Sequence, residues 1–553
     1  MTSPFDHFLK SHPLLLAETR TAGTRSERKF ALALPAMPTD RAFTGAWLVL
    51  PANFPEARAR IQLSKDAVLR VPHIDSAADL CFSGDAGPAS GASPEERVGA
   101  MLYLFEQEFL IPWLSGRLDG DFEKETANYW SIHVSRMASD VDAVRRVYTF
   151  AVRHSEPRVL IARLVQPSRA LIVNDDEALA SRFVASLGPR ATEVSNAVVA
   201  DVPIDYPYTP ATWPTTLADV KLLLESRLTP AQYHQFEKIS KHRTLHRVVL
   251  LRAPTCTYAF LLPGGPPTRV VKHKTKRAFP TLRLLPLGVE RMDPSWTCGR
   301  AQHPQVSNRQ QSHVLVLGAG SLGSAVIDLL ARSGVGKITI VDPDYLSSPN
   351  IGRHLLGADM LGYPKAKSVA THVGRSVPSC QLSGTSDSAE AWLQRSTLAE
   401  VSVVLDFTGE PEVRSALESA RLAHPRHLLI GWFEPYVAAA HACVLKDTDY
   451  WLNGLPDRLM AYQAVDWPDT VIQNEPGCSS QFQSYTPVQA NYGIALVAEA
   501  ALQLIDGDVS RSHTRSWVRG QRFLDAQLPG LKLREWAQPA AEHDGMLIER
   551  PWS

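Results

Sequence analysis

The chain has 553 residues, 44% of them hydrophobic, enough for several buried cores and an expectation of roughly three to four domains. Its 57 Lys and Arg balance 57 Asp and Glu, so the broad basic footprint of a nucleic-acid binder is absent and no nucleic-acid partner is expected. No signal peptide opens the chain and no uninterrupted apolar run is long enough for a bilayer, so no membrane partner is expected and the cytoplasm is the expected location.

From the N-terminus, Asp6 to Ala17 reads as a short helix, and Phe30 to Leu34, Ala46 to Leu50 and a segment near Ile61 read as strands. Pro72 and His73 follow, with Cys81 eight residues beyond His73. Residues 84–93 are rich in Gly, Ala, Ser and Pro, as in a site loop. Ser93, Pro94 and Glu96 form a capping box with proline at the first helical position, and Val98, Leu102, Phe105 and Phe109 give that helix an apolar face. Across 160–300, strands are expected at Val159 to Val165, Ala170 to Val173, Arg247 to Leu251, Tyr258 to Leu262 and Thr268 to Lys272, with helices at Thr216 to Ser226 and Pro230 to Ser240. That mixture suggests a small α+β linker domain. The basic run Lys272 to Arg277 reads as a solvated face that could steer an acidic partner.

The C-terminal part carries the strongest signal. Val314 to Leu317 is a buried-strand run ending in Gly318, Gly320 and Gly323, a spacing that permits a tight turn, close backbone approach to phosphate and close packing of helix on sheet. Leu322, Val326, Leu329 and Leu330 continue at helical spacing. A second strand, Lys337 to Val341, delivers Asp342 where an acid meets a ribose hydroxyl. To this point a dehydrogenase fits equally well. Arg353 and Lys365 break the tie: two cations near bound phosphates suit a displaced pyrophosphate, which hydride transfer never produces.

The set Gly318, Gly320, Gly323, Asp342, Asp344, Asn350, Arg353, Pro364 and Lys365 resembles the adenylation domain of ubiquitin-activating enzymes and their bacterial ThiF and MoeB relatives, over about residues 300–510. The resemblance implies a Rossmann-like fold, with Asp342 on the ATP ribose and Asn350, Arg353 and Lys365 on the phosphates. The family's Thr-Asp-Asn magnesium motif is changed: Gly409 stands at the Asp position, and Asp406 or Glu410 are the oxygen donors that could replace it. There is no Cys-x-x-Cys, so the structural zinc of many relatives is not expected, and six cysteines in 553 residues fit a reducing compartment. Cys478 lies in an irregular segment before a helix capped by Thr486 with Pro487 first, a setting that can expose a thiol and lower its pKa. Ubiquitin-activating enzymes place their thioester cysteine at a similar point. Cys443, in an apolar stretch, reads as core; Cys256, Cys298 and Cys380 carry no functional signal.

The N-terminal order of strands, Pro72, His73, Cys81 and capped helix resembles the ubiquitin-conjugating enzyme fold, with His73 where that family has asparagine. The resemblance implies Cys81 as acceptor thiol and His73 as donor toward the oxyanion. The expected architecture is therefore multidomain α/β and α+β: residues 1–160 conjugating-like, 161–300 a linker, 301–553 a ThiF-type adenylation domain. Fused chains of this kind resemble the bacterial enzymes of cyclic-oligonucleotide antiphage (CBASS) operons. The implied reaction uses ATP and Mg2+ to adenylate a protein C-terminus, that of a ubiquitin-like protein or a CD-NTase. Cys478 and then Cys81 carry it to a target lysine, and the relatives' habit implies a homodimer. Two alternatives remain: a sulfur-carrier adenylyltransferase of cofactor synthesis, in which Cys81 is idle, and a nucleotide-binding scaffold without turnover.

Overall fold

The computed structural model describes residues 3–19, 27–82, 91–137, 144–240, 245–264, 268–272, 275–279, 283–468, 471, 473–474, 481–482 and 485–552. The chain divides into two compact units. The first holds residues 1–149, 153–175 and 192–290, and the second holds 150–152, 176–191 and 291–553.

In the first unit, the helix Pro4–Ser11 is capped by the Ser3 hydroxyl and precedes an antiparallel meander of β1 (Leu15–Thr19), β2 (Arg28–Leu32), β3 (Ala46–Leu50) and β4 (Arg60–Leu63), hydrogen-bonded in that order. Register sets Phe30 opposite Leu48 and Leu48 opposite Ile61, so alternate residues of each strand form one buried face. The expected capping box is present: Glu96 N–H donates to Ser93 Oγ at 3.2 Å and Ser93 N–H to Glu96 Oε2 at 2.7 Å. It opens the helix Pro94–Leu104, and Val98, Leu102, Phe105 and Phe109 are all buried as the periodicity requires.

The rest of this unit is a closed barrel, which no sequence pattern announced. Its strands are β5 (Arg146–Thr149), β6 (Arg158–Gln166), β7 (Ala170–Val173), β8 (Thr192–Pro203), β9 (His246–Arg252), β10 (Thr257–Leu261) and, after the hairpin of β11 (Thr268–Lys272) and β12 (Thr275–Phe279), β13 (Leu285–Arg291). The order is β10-β13-β5-β7-β6-β8-β9. The helix Thr126–Met137 joins the meander and the barrel in one core: its Trp130 ring lies 5.5 Å from Trp213 and 5.1 Å from Tyr258, and the indole N–H donates to the Leu287 carbonyl at 3.0 Å. The apolar interior is thus continuous across residue 160. Part of the basic run, residues 273–274, lies outside the described residues.

A buried ion network ties the barrel. Asp201, fully buried on β8, accepts from Arg252 Nε at 2.7 Å, His154 Nε2 at 2.9 Å and Arg158 Nη2 at 3.2 Å, while Arg252 also reaches Asp175 at 2.6 Å. Burial alone would raise the Asp201 pKa, but the His154 hydrogen bond and the Arg252 charge outweigh it and bring it to about 2.

The second unit is a doubly wound sheet. β14 (His313–Leu317), β15 (Lys337–Val341), β16 (Gln381–Thr385), β17 (Val403–Asp406) and β18 (His427–Phe433) are parallel, and β19 (Ala439–Leu445), β22 (His513–Val518) and β23 (Met546–Pro551) extend the sheet antiparallel; β20 (Gln473–Asn474) and β21 (Gln481–Phe482) pair separately. The order β16-β15-β14-β17-β18-β19-β22-β23 reverses direction between β14 and β17, the switch point at which such sheets bind ligands. The helices Ser321–Arg332, Lys365–Ser376 and Pro487–Asp506 cover one face, and Ala389–Arg395 and Pro411–Ala423 the other. Pro487–Asp506 alone among the described residues is long and apolar enough to cross a membrane, and half of its apolar window is buried on the sheet. Its last residue, Asp506, takes a bidentate bond from buried Arg309 at 2.7 and 2.6 Å, so that arginine serves its own domain's packing.

Asp201→Ala should cost about 3–5 kcal/mol, the usual loss when one partner of a buried ion pair is removed, measured by urea unfolding of the whole chain. Because the folded pKa is depressed from 3.8 to about 2, the Asp201 contribution is complete above about pH 4 and fades as pH falls toward 2. A variant lacking the carboxylate should lose that part of the acid sensitivity.

Candidate active site

The glycine signature folds as strand, turn and helix at the switch point. Gly318 has φ of +89°, and a Cβ on it would stand 2.9 Å from the Phe407 carbonyl carbon. A Cβ on Gly323 would fall 2.0 Å from the Gly318 carbonyl oxygen, so the helix Ser321–Arg332 rests directly on the turn. Gly320 differs: a Cβ there meets nothing within 4 Å, because its open side faces a cavity. Gly320 is also the helix N-cap, with no side-chain cap, and among the described residues the N–H groups of Gly320, Ser321 and Leu322 have no partner. Free amides and the positive end of a helix dipole at an open concavity make an anion site.

The cavity, about 350 Å³, has a polar lining of Gly320, Ser321, Asn350, Arg353, His354, Lys365 and Thr408 and an aromatic lining of Phe407, Trp432, Phe433 and Tyr485. Asn350 Oδ1 is occupied by Ser347 N–H at 3.0 Å and Ser347 Oγ at 2.9 Å, which leaves the amide NH2 as its donor end. Arg353 lies over the Tyr485 ring at 5.3 Å, and the Tyr485 hydroxyl donates to Ser321 Oγ at 2.7 Å. Buried Lys365 sets Nζ 2.8 Å from Asp344 Oδ2 at the start of its helix.

The two acids of the signature lie outside this lining. Asp342 accepts the Ala319 N–H at 2.6 Å and the Asp344 N–H at 2.8 Å, holding the glycine turn to the end of β15; burial raises its pKa. Asp344 neutralises Lys365 and is well exposed. Asp406 ends β17 with Oδ1 bonded to the Thr408 N–H and hydroxyl, at 3.0 and 2.6 Å, while its buried Oδ2 has no partner. Glu410 is exposed at the start of the next helix and does not line the cavity. Asp406 is fully buried and, like Glu410, does not line the cavity, so neither expected metal donor faces it, and among the described residues no three His, Cys, Asp or Glu side chains converge as a metal site.

Sequence reasoning missed His354 and the aromatic wall. His354 Nε2 meets the Ala319 carbonyl at 2.7 Å, and its Nδ1 accepts the Leu356 N–H at 3.0 Å. Only the neutral ring protonated on Nε2 makes both bonds, and burial lowers its pKa accordingly. Behind the aromatic wall, Trp432 stacks on His441 at 4.7 Å, and His441 bonds Glu434 at 2.7 Å. The Glu434 carboxylate also accepts from the Ala464 and Val465 amides and, at 2.7 Å, from the Trp467 indole. Cys478 lies outside the described residues; the chain leading toward it is anchored at Glu434, and the chain leaving it at Tyr485. Cys443 is fully buried, its thiol pushed up to about 12 by desolvation.

In the other unit, Cys81 is exposed and donates its N–H to the His73 carbonyl at 2.7 Å. His73 has φ of +59°, a conformation that His and Asn adopt more readily than most residues. Both ring nitrogens of His73 are engaged, Nδ1 with Glu125 and Nε2 with Asp121, each at 3.0 Å. Burial and then the charges of Asp75, Glu125 and Asp79 raise the Cys81 pKa, so the resting thiol is protonated.

A doubly wound sheet with a glycine turn at its reversal and two cations in the cavity there defines a Rossmann-like adenylation domain. Residues 299–432 match the ThiF family model, so the second unit carries a ThiF-family domain. The chain is similar to the ATP-dependent ubiquitin transferase-like protein Cap2 of Pseudomonas aeruginosa, 25% identical over 53% of this chain and 55% of that protein. Cap2 of Vibrio cholerae is 26% identical over 43% of this chain and 42% of its own length. The molybdopterin-synthase adenylyltransferase of Salmonella typhimurium is 33% identical over 20% of this chain and 45% of its own. The matches thus span about half the length of these relatives.

Two outcomes follow from this geometry. Gly323→Ala should destabilise the second unit by about 1–3 kcal/mol through overpacking, whereas Gly320→Ala should stay within about 0.5 kcal/mol of the parent; chemical denaturation of both variants compares them. Asp75→Asn should speed alkylation of Cys81 by iodoacetamide near pH 7.5, because removing a nearby negative charge lowers the thiol pKa; peptide mass mapping reads the rate.

Proposed function

We propose that this chain uses ATP to adenylate the C-terminal carboxylate of a protein and then conjugates that protein to an amine through two cysteine thioesters. The observation that carries the reading is the convergence of the Gly320 and Ser321 amides, Asn350, Arg353 and Lys365 on one cavity beside a helix N-terminus. The substrate carboxylate attacks the α-phosphorus of ATP, and pyrophosphate leaves. Arg353 and Lys365 take up the charge that develops on the leaving group, Asn350 donates to the phosphates, and Asp342 and Asp344, which lie outside the cavity lining, hold the turn and Lys365 in place; the ribose bond expected of Asp342 would need one of its two amide bonds to open. Magnesium would travel with the phosphates; Asp406 is buried and Glu410 exposed, and neither lines the cavity, so either would serve as an oxygen donor only after the 406–410 segment shifts.

The Cys478 thiol then attacks the acyl carbon, releasing AMP. Cys81 takes the acyl group by thioester exchange, and a lysine amine displaces it to form an amide. In this reading His73 donates toward the oxyanion of that last step, for which one of its two carboxylate bonds must open. The corresponding division is a conjugating part at 1–160, a linking part at 161–300 and an activating part at 301–553. The passenger is a ubiquitin-like protein or CD-NTase, the setting an antiphage operon of the CBASS kind, the compartment cytoplasmic and the assembly a homodimer. The similarity to Cap2 supports this assignment. Similarity to a molybdopterin-synthase adenylyltransferase, with a Cys81 held protonated, favours a second reading in which only the adenylation occurs.

Intact mass under non-reducing conditions, after incubation with ATP, magnesium and host lysate, separates the two. The relay predicts a DTT-labile adduct on wild type that is abolished in Cys478→Ala and confined to Cys478 in Cys81→Ala. An adenylated passenger with neither cysteine ever loaded would overturn it in favour of the sulfur-carrier reading. Arg353→Ala should lower ATP–pyrophosphate exchange by roughly 10²-fold, the usual scale for removing one transition-state donor.

A further inference from the structure

We infer that His354 is the positioning residue of the phosphate turn: as a neutral imidazole it turns the Ala319–Gly320 peptide so that the Gly320 N–H faces the cavity. The inference rests on the nucleotide reading above and adds a residue to it. A trans peptide points its carbonyl and its N–H in opposite directions. The Ala319 carbonyl is held by His354 Nε2 at 2.7 Å, so the adjoining Gly320 N–H is directed away from the imidazole. The neighbouring amides are taken: Gly318 N–H by the Val341 carbonyl at 2.9 Å and Ala319 N–H by Asp342 at 2.6 Å. Gly320 is therefore the first residue of the turn whose amide is left for a ligand, and it lines the cavity. Without the imidazole, that peptide could rotate and aim a carbonyl oxygen at the phosphates.

The same ring ties the other half of the cradle. Nδ1 accepts the Leu356 N–H, and the His354 main-chain N–H donates to the Asn350 carbonyl at 2.9 Å, so the turn bearing Asn350 and Arg353 is locked to the glycine turn at this one residue. The charged groups around it are Lys365 from the following helix, Arg353 from its own turn, and Asp342 and Asp344 from the end of β15. Lys365 disfavours a second cation at His354, in keeping with a neutral ring.

The test compares full-length wild type, His354→Ala and His354→Gln by ATP–pyrophosphate exchange and by calorimetric binding of ATP and of inorganic pyrophosphate. His354→Ala should raise the KM for ATP about tenfold or more, the scale of one lost buried hydrogen bond, with kcat little changed. Glutamine supplies both an N–H for Ala319 and a carbonyl for Leu356, and should recover most of that loss. An unchanged KM in the alanine variant, or a glutamine variant as weak as alanine while both melt like wild type, would overturn the inference. Nitrogen-15 spectra of the wild-type imidazole decide the matter if alanine fails to fold: the neutral ring protonated on Nε2 is expected at pH 7, and either other form removes the basis of the inference. Failure of the nucleotide reading is distinct, since it would appear as wild type binding neither ATP nor pyrophosphate.

Discussion

The close contact between Gly323 and the Gly318 carbonyl sets the geometry on which the cavity depends. With no side chain at either position, the first helix of the nucleotide unit sits on the strand end with its unpaired amides facing open space. Any larger residue at Gly323 would lift the helix and move those amides away from an anion. The turn carrying Asn350 and Arg353 is seated in the core through Leu356 and, in part, Leu355, and His354 bonds it to the glycine turn.

Electrostatics then divides the labour of the charged groups. The acids of the signature do not line the cavity; they neutralise what would otherwise repel or drift. Asp342 orders backbone amides, and Asp344 holds a buried ammonium that would be costly to leave unpaired. The cavity surface is left to cations, amides and aromatic rings, an arrangement suited to a polyanion with an apolar chain beside it. Around Cys81 the sign is opposite. Burial first, and then the carboxylates of Asp75, Glu125 and Asp79, raise its thiol pKa.

Two anchors hold the described chain on either side of the segment that contains Cys478. Glu434 gathers four donors where β18 ends, and Tyr485 bonds Ser321 at the start of the first helix. Both anchors lie beside residues that line the cavity, so the chain approaching and leaving Cys478 is tied to the cavity wall at each end.

Much of this was written in local pattern. The glycine spacing, the caps at Ser93 and Thr486, the buried face of the Pro94–Leu104 helix and the core position of Cys443 follow from residue identity over a few turns of chain, where period and capping chemistry act locally. The face of the Pro487–Asp506 helix does not: the expected buried residues Val488, Tyr492 and Ala495 are exposed, and Ile494, Val497 and Ala501 pack instead, because a helix apolar on several sides carries no single period. The cations at 353 and 365 were legible for the same reason, as an ordered set after one strand. The barrel was not, because closure depends on β13 pairing with β5 across most of the unit, and on Trp130 meeting Tyr258 from a distant helix. Nor were His354 and Tyr485: a lone imidazole or phenol carries no period, and each gains its role only when the turn it serves is brought beside it. Sequence by itself determined the strand, turn and helix of the nucleotide site and the residue types available there. Tertiary structure decided which of those residues face the cavity, because pairing and burial of polar groups are settled between segments far apart in the chain.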